Sequence, residues 1–340
     1  MKIAIDAMGG DDAPKEIVLG AIEAADKYDC ELVLVGDAKR INEVLHNQPT
    51  WNKNKISVHN ATEIIEMNEH PGAAVRRKKD SSIVVATSLV KSGECDAVVS
   101  AGSTGAAVAA ALLGLGRING IDRPTIATPL PNRESVTLLL DSGANVDSKP
   151  NQLQQSAVMG ALYAQYVFGV HNPRVGLLNI GEEETKGNEQ ALATYPLLRN
   201  LKNINFIGNI EGRDIPKGSV DVVVCDGFVG NIVLKFAEGL ATTMVDLIKD
   251  AIKKSNLFTK IAAVALIPTL KKLSKRVDYS EYGGAPLLGV NGCFIICHGS
   301  SKAKAIKSAI GITHDYVKNN VVEHIRENVM KEVDTENVNQ

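Results

Sequence analysis

The chain has 340 residues, of which 44% are hydrophobic and 22% are charged, so it can bury a large core as one lobe or as two closely joined lobes. The formal net charge of −2 argues against a nucleic-acid-binding protein, and neither a secretory signal nor an apolar stretch that could cross a bilayer is predicted. The five cysteines lack CxxC or paired Cys/His spacing, so we expect reduced, mostly buried thiols and no metal site.

Alternating strands and helices open the chain. Lys2–Asp6 is predicted to be a buried strand, followed by a helix that begins at Pro14 and ends at Tyr28. Further strands are predicted over Glu31–Gly36 and Lys55–His59. Few residues are aromatic, and this order is typical of helices packed on a mostly parallel sheet, so we expect a three-layer α/β fold.

The loop after the first strand contains Asp6, Gly9 and Gly10. In open α/β sheets the carboxyl ends of the strands border the ligand crevice. These residues are therefore candidate substrate-binding residues. The alternative is a surface loop in which Asp11 or Asp12 caps the next helix.

A run of four basic residues follows the third strand. A charge run of this kind is usually the solvated face of a helix. It could also be a docking surface for an acidic partner. The residues concerned are Arg76, Arg77, Lys78 and Lys79.

The segment Val98–Ala107 has the pattern of a buried parallel strand that leads directly into a helix. Gly102 and Gly105 allow a tight turn with accessible N–H groups, and the helix start adds further donors and the positive end of its dipole. Such a place attracts an anion, most often phosphate. Ser103 and Thr104 add two hydroxyl groups; alternatively, Ser103 only caps the helix.

Three later strands also end in polar or glycine-rich loops at the same edge of the predicted sheet. Thr125–Leu130 and Ser135–Leu140 are predicted to form a hairpin-like pair, and the second strand of this pair is the first of the three. The last of the three leads into a long helix. The strands and their loops are 135–140 with 141–145, 174–179 with 180–188, and 220–225 with 226–231.

The segment Leu257–Arg276 differs from the rest of the chain, because an apolar run is framed by basic residues and Pro268 is expected to interrupt any helix. One interpretation is a pair of dimer-interface helices, and the other is an apolar tip with a basic collar for a membrane surface or an acyl chain. The apolar residues are Leu257, Phe258, Ile261, Val264, Leu266 and Ile267, and the collar is Lys271, Lys272, Lys275 and Arg276. A single last helix, capped by His298–Ser301, is predicted to close the fold.

Several common catalytic motifs are absent from the sequence. Gly102-Ser-Thr-Gly105 lacks the first glycine of the GxGxxG dinucleotide motif. Neither the GxxxxGK[ST] loop of ATP- and GTP-binding proteins nor the GxSxG motif of serine hydrolases occurs. The remaining strand-end loops suit the binding of a small anion and the stabilisation of negative charge on a reacting carbonyl.

Six motifs together resemble the phosphate acyltransferase family of bacterial phospholipid synthesis, the PlsX type, in order from the first residue to about Ala309. Met67–Pro71 fits the family pattern less closely, so no role is carried over to Glu69 or His70. The motifs are Met1-Lys-Ile-Ala-Ile-Asp-Ala-Met-Gly-Gly-Asp-Asp-Ala-Pro14, Arg76-Arg-Lys-Lys-Asp-Ser-Ser82, Ser100-Ala-Gly-Ser-Thr-Gly105, Asn179-Ile-Gly-Glu-Glu183 with Lys186-Gly187, Asp226-Gly-Phe-Val-Gly-Asn231 and Glu281-Tyr-Gly-Gly-Ala-Pro-Leu-Leu-Gly289.

The resemblance implies an enzyme that moves a fatty acyl group from acyl carrier protein to inorganic phosphate without a cofactor. The acyl phosphate would serve phosphatidic acid synthesis through a membrane glycerol-3-phosphate acyltransferase. The implied fold is that of isocitrate and isopropylmalate dehydrogenases and phosphotransacetylase. We expect one such domain over residues 1–340, with a helical tip at about 250–278, forming a cytoplasmic homodimer attached peripherally to the membrane.

The resemblance also suggests roles for individual residues. The amides of Gly102–Gly105, with Ser103 and Thr104, would hold phosphate. Lys186 would neutralise phosphate or the developing oxyanion, Asn231 would donate a hydrogen bond to it, and Asp226 would orient one of these two. Asp6, Gly9 and Gly10 would close the cleft, and the set of substrate-binding candidates is completed by Asn179 and Gly227.

Two alternative functions stay open on the sequence. A metal-dependent decarboxylating dehydrogenase shares the implied fold but needs a dinucleotide and an acidic metal cluster. A non-enzymatic membrane adaptor would depend on the apolar tip alone.

Overall fold

A computed structural model describes residues 1–277 and 282–338, with side chains over 1–269 and 282–329. Within these residues twelve strands, numbered in chain order, form two mostly parallel sheets. The seven-stranded sheet contains β1 (Lys2–Asp6), β2 (Glu31–Gly36), β3 (Ile56–Asn60), β4 (Ala97–Ser100), β5 (Thr125–Ile126), β11 (Ala285–Leu288) and β12 (Cys293–Ile296). The five-stranded sheet contains β6 (Thr128–Pro131), β7 (Val136–Leu140), β8 (Arg174–Asn179), β9 (Asn205–Glu211) and β10 (Val222–Val224).

Helices cover both sheets, which confirms the predicted α/β class. Their bounds are α1 Lys15–Lys27, α2 Ala38–His46, α3 Pro71–Arg77, α4 Ser82–Lys91, α5 Thr104–Gly114, α6 Pro150–Tyr166, α7 Glu189–Asn200, α8 Gly227–Lys254, α9 Leu257–Val277, α10 Ala303–Lys318 and α11 Val321–Val338, with a 3-10 helix at Gly212–Lys217. The predicted strands at Lys2–Asp6, Glu31–Gly36 and Arg174–Asn179 are confirmed with the same bounds.

The strand order places the ends of the strands that carry polar loops side by side. In the larger sheet the order is β3-β2-β1-β4-β12-β11-β5, in which β11 runs antiparallel to both of its neighbours, β12 and β5. Asp6 at the end of β1 pairs in register with Ser100 at the end of β4, and Ile296 of β12 pairs with the same Ser100. In the smaller sheet the order is β6-β7-β10-β8-β9, so β7, β10 and β8 end together.

A continuous apolar core joins the two sheets. One face of β1 packs Ile3 and Ile5 against α1 and α10, and this core continues to Leu138 and Val222 in the smaller sheet. The other face, with Ala4 of β1, packs against α4 and α5. Because side chains alternate along a strand, the apolar run of β1 is buried on both faces. All five cysteines are buried, as predicted.

Three predictions about element boundaries are wrong. The predicted strand over Thr125–Leu130 is divided at Ala127 between β5 in one sheet and β6 in the other. The last helix is broken at Asn319–Asn320 into α10 and α11, and the residue before α10 is Lys302, which makes no side-chain cap. Helix α9 continues through Pro268, because a proline removes one backbone hydrogen bond without necessarily ending a long helix.

The prediction that no segment could cross a bilayer is also wrong by the criteria of length and composition. Helix α8 is long and apolar enough to pass this test, and little of it is buried. The apolar residues of α8 do not form an unbroken run in the sequence, because Lys235 and Glu238 lie among them and form an ion pair at 3.5 Å. A single helix of this kind is weak evidence for a membrane span, since the core helix of a soluble protein or a signal sequence meets the same criteria.

Candidate active site

A buried carboxylate connects the ends of β1 and β4. Asp6 is only 2% exposed, and its Oδ2 accepts a 2.7 Å hydrogen bond from the Ser100 hydroxyl. Burial raises the pKa of Asp6, and the hydrogen bond from Ser82, at the start of α4, opposes this shift. The Ser100 hydroxyl oxygen also accepts from the Gly102 amide at 3.1 Å. Asp6 therefore fixes the positions of two strand-end loops and of α4.

Glycines allow these loops to approach each other closely. A Cβ atom on Gly9 would lie 2.6 Å from both Asp6 Oδ2 and the Gly102 amide nitrogen, which is too close for any side chain. Gly10 has a φ of +109°, and after it the Asp11 amide donates a 2.8 Å hydrogen bond to the carbonyl of Gly299. The loops after β1, β4 and β12 are thus held together by backbone contacts.

The start of α5 has unused hydrogen-bond donors. Ser103 occupies the N-cap position, yet its side chain makes no capping hydrogen bond, so the structure does not support a simple capping role. In the described part of the chain, the hydroxyls of Ser103 and Thr104 and the first amides of the helix have no internal partner. Backbone N–H groups at a helix start, next to two free hydroxyls, form a site suited to an anion. Gly105 lies against Pro71 at the start of α3.

A second group of residues surrounds the start of α8. Asp226 caps the helix, since its Oδ1 accepts a 2.8 Å hydrogen bond from the Val229 amide. In the described residues its carboxylate makes no hydrogen bond to Lys186 or Asn231, so the orienting role expected for it has no contact to support it. Asn231 is exposed, one turn into the helix, and the Gly227 amide donates to the carbonyl of Asn145 at 2.8 Å.

Asp141 is a residue of this group that sequence reasoning did not select. It is 1% exposed, and burial raises its pKa. Its Oδ1 accepts from the amides of Ile126, Gly143 and Ala144 at 2.9–3.1 Å. Its Oδ2 accepts from the amide and side-chain Nδ2 of Asn145, both at 2.8 Å.

The Asp141 bonds position the loop that faces α8. A Cβ on Gly143 would lie 3.7 Å from the Asn231 side chain, so this loop is the neighbour of Asn231. Asn145 Nδ2 also donates to the carbonyl of Pro124 at 2.7 Å, which links the loop to the larger sheet. The available sequence signal was an aspartate directly after a strand and before Ser-Gly, a pattern typical of Asx turns.

A third group lies in the loop after β8. Asn179 Nδ2 donates to the carbonyl of Lys186 at 3.0 Å, while its Oδ1 accepts from the Ile180 amide at 2.8 Å. Both ends of the Asn179 side chain thus hold the loop. The Lys186 side chain is exposed, and its ammonium group has no ion-pair partner in the described part of the chain.

The structure therefore distributes the predicted residues over three groups. The first contains Asp6, Gly9, Gly10, Gly102 and Ser103, and the second contains Asp226, Gly227 and Asn231. The third contains Asn179 and Lys186. No hydrogen bond or ion pair of the described residues connects Lys186 directly with Asn231. No three His, Cys, Asp or Glu side chains of the described residues are arranged to hold a metal ion.

The basic run at residues 76–79 is only partly available to a partner. Lys78 is half-buried, with its Nζ donating to the carbonyl of Ile64 at 2.6 Å and forming an ion pair with Glu69. Arg77 pairs with the same Glu69 at 3.0 Å, and the hydrogen bond from Lys78 lowers the pKa of Glu69. Arg76 and Lys79 are exposed. The charge of Lys78 is therefore paired within the chain, and the docking role of this residue stays a prediction.

The apolar tip is exposed on α9. Leu257, Phe258 and Ile261 are 61–85% exposed, and Val264, Leu266 and Ile267 are 42–65% exposed. The side chains of the predicted basic collar, Lys271, Lys272, Lys275 and Arg276, lie outside the described residues. Helix α8, which precedes the tip, also exposes a series of large apolar side chains: Phe228, Val229, Ile232, Phe236, Leu240, Met244, Val245, Leu247 and Ile248.

Comparison with known families shows what the chain is related to. A family model described as fatty acid synthesis protein matches residues 1–324. The chain belongs to this family. A phosphate acyltransferase from Pelotomaculum thermopropionicum is 59% identical over 329 residues, which are 97% of this chain and 95% of the relative. One from Desulfitobacterium hafniense is 58% identical over 327 residues, which are 96% and 97% of the two chains.

The fold comparison agrees with the expected architecture. A crystal structure of a phosphotransacetylase from Streptococcus pyogenes superposes with a TM-score of 0.66, covers 94% of both chains and shares 19% sequence identity. This member of the fatty acid synthesis protein family therefore has a phosphotransacetylase-like fold, as predicted. The family resemblance found in the sequence is confirmed as well.

Proposed function

We infer that this protein is a phosphate acyltransferase, which transfers a fatty acyl group from acyl carrier protein to inorganic phosphate and releases acyl phosphate for phosphatidic acid synthesis. The observation that carries this conclusion is the match of nearly the whole chain to phosphate acyltransferases at more than half identity. The family description, fatty acid synthesis protein, agrees with an acyl substrate. The hydrogen-bond donors and the lysine of the strand-end loops are consistent with acyl transfer to phosphate.

Inorganic phosphate binds at the start of α5 in this proposal. Among the described residues the amides of Ser103–Gly105 and the hydroxyls of Ser103 and Thr104 are donors without internal partners, whereas the Gly102 amide already donates to the Ser100 hydroxyl. The helix dipole favours an anion at this helix start. The Asp6 carboxylate is occupied by Ser82, Ser100 and backbone amides, so it organises the loops and does not itself hold phosphate. Gly9 and Gly10 let the loop after β1 close over the proposed phosphate site at the start of α5.

Phosphate then attacks the thioester directly. A phosphate oxygen forms a bond to the acyl carbonyl carbon, and the carbon–sulfur bond breaks, so that the carrier leaves as a thiolate. The thiolate takes up the proton that hydrogen phosphate loses when it is acylated. The carbonyl oxygen carries negative charge in the transition state. Exposed Lys186 and Asn231 are the cationic and amide donors proposed to stabilise this charge, and loss of one such donor typically lowers turnover about a hundredfold or more.

Acyl carrier protein, which is acidic, docks near the basic run. The exposed charges of Arg76 and Lys79 support this surface, with Arg77 contributing beyond its pair with Glu69. Such long-range attraction accelerates association and weakens as salt screens the charges. The predicted collar at residues 271–276 stays a second proposed contact for the carrier.

The protein works as a homodimer in this proposal, with the apolar face of α8 covered by a second copy. Phe236 is 68% exposed, and the series of large apolar residues along α8 exceeds what a soluble monomer usually leaves in water. The tip of α9 attaches the cytoplasmic dimer peripherally to the membrane surface, where the product reaches a membrane glycerol-3-phosphate acyltransferase. Its exposed Phe258 and Leu266 suit shallow insertion into a lipid surface.

The direct test of the activity uses purified full-length protein, long-chain acyl carrier protein and inorganic phosphate. Hydroxylamine converts any acyl phosphate to a hydroxamate that can be measured. We expect product only when all three components are present and without added dinucleotide or metal. Absence of product would exclude the acyltransferase, and a requirement for dinucleotide would favour the dehydrogenase alternative.

A further inference from the structure

Asn209 is a buried polar residue on β9 beneath the loop that carries Lys186. The pairing of β8 with β9 shifts between Val175 and Gly176, which face Phe206 and Gly208, so Ile207 is an extra residue in the strand. Gly208 has a φ of +104°, a conformation that favours glycine. Such a bulge commonly redirects the next side chain. Here that side chain is Asn209, which is 6% exposed.

The Asn209 side chain holds the loop at one defined atom. Its Nδ2 donates a 2.9 Å hydrogen bond to the carbonyl oxygen of Glu183. The same carbonyl accepts from the Lys186 amide at 3.1 Å, which closes the turn. On the other side of the turn, Asn179 donates to the carbonyl of Lys186. Two asparagine side chains from adjacent strands therefore fix the backbone on both sides of Lys186.

Fold stability does not explain why an asparagine is present at position 209. Its Oδ1 is buried and has no hydrogen-bond partner in the described part of the chain. A buried acceptor without a partner destabilises a protein, whereas an apolar residue of similar shape is close to neutral or stabilising. The Glu183 carbonyl would keep its bond from the Lys186 amide if Asn209 were replaced. The clearest use of this side chain is the hydrogen bond that it donates to the loop.

We propose that Asn209 is a positioning residue that holds the Lys186 turn in its reactive geometry. It acts through Lys186 and does not contact substrate. The proposal rests on the proposed acyl transfer and on the role of Lys186 in it. A charge-stabilising group works only when it is held near the developing charge, and a displacement of about 1 Å can lower the rate about a hundredfold.

The experiment compares N209L and the smaller N209A with wild-type protein in the hydroxamate assay and in thermal unfolding. We expect kcat/KM to fall at least about tenfold in both variants. For N209L we expect an unchanged or higher melting temperature, because the orphan acceptor is removed. The matched control is N205L: Asn205 lies on the same strand and donates to a loop carbonyl, that of Asn172, at the opposite end. Its activity should remain close to wild type.

The K186A background shows whether Asn209 acts through the lysine. If it does, adding N209L to K186A lowers kcat/KM by less than about twofold, because the group that Asn209 positions is already gone. An equal loss in both backgrounds, or wild-type activity of N209L, overturns the proposal. An inactive wild-type protein refutes the acyl transfer, and a fully active K186A refutes the role of Lys186; either result is distinct from a failure of the Asn209 coupling.

Discussion

Replacing Asp141 by asparagine tests whether the loop beside Asn231 is organised by one buried carboxylate. Five N–H groups donate to Asp141, three to Oδ1 and two to Oδ2. In D141N one oxygen becomes an NH2 group, so at least the two donors from Asn145 would face another donor. Each unpaired buried group costs about 1–3 kcal/mol, so the free energy of unfolding should fall by about 2–6 kcal/mol.

The assays for D141N are thermal unfolding and acyl phosphate formation. At about 2 °C per kcal/mol, the lower end of the range for chains of 150–250 residues, we expect the melting temperature to fall by about 4–12 °C. Turnover measured at temperatures below the melting transition should fall as well, because the loop no longer fixes Asn231. The control is D147N, since Asp147 is an exposed carboxylate in the same loop. Wild-type stability and turnover of D141N would refute this account of the loop.

Four other changes test separate parts of the account. Burial raises the pKa of Asp6, so the folded protein favours the protonated form of this carboxyl, and the stability that protonation contributes is lost as the pH rises through the raised pKa. D6N lacks this titration, so in denaturant titrations its free energy of unfolding should rise relative to that of wild type between pH 4 and pH 8. A difference that stays constant with pH would contradict this. R76E should raise KM for acyl carrier protein about tenfold at low salt and much less at high salt. The control K39E, at an exposed lysine on another helix, should leave KM unchanged. An effect of R76E that is independent of salt would argue against charge-based docking. F236E should convert a dimer to a monomer by light scattering, and an unchanged mass would place the dimer contact elsewhere. L266E should abolish sedimentation with anionic vesicles while retaining the melting temperature, and continued vesicle binding would reject the tip as the membrane contact.

The sequence was sufficient to predict the fold class and the family. Apolar runs such as Lys2–Asp6 and Arg174–Asn179 have the composition of buried parallel strands, and local composition determines such elements strongly. The error at Thr125–Leu130 has a different origin, because a strand that changes sheets at Ala127 depends on tertiary pairing. The prediction that Pro268 ends the helix is wrong because helix propensity is only a weak guide within a long helix.

The candidate site was predictable where glycine, hydroxyl and charge occur together in one motif. Gly102–Gly105 and Asp226–Asn231 are motifs of this kind, and the structure brings each to the start of a helix. Asp141 and Asn209 were not predicted as site residues, because each acts through a long-range hydrogen bond. These bonds run from Ile126 to Asp141 and from Asn209 to Glu183. Spacing along a sequence does not reveal such bonds. The partial neutralisation of the basic run by Glu69 likewise depends on the fold.

A crystal structure with bound phosphate is the most direct test of the central claim that the start of α5 holds the acyl acceptor. The account predicts a phosphate ion within hydrogen-bond distance of the amides of Ser103–Gly105 and of the Ser103 or Thr104 hydroxyl, with Lys186 and Asn231 facing the same space. A phosphate ion bound elsewhere, with the α5 start empty at saturating phosphate, would contradict it.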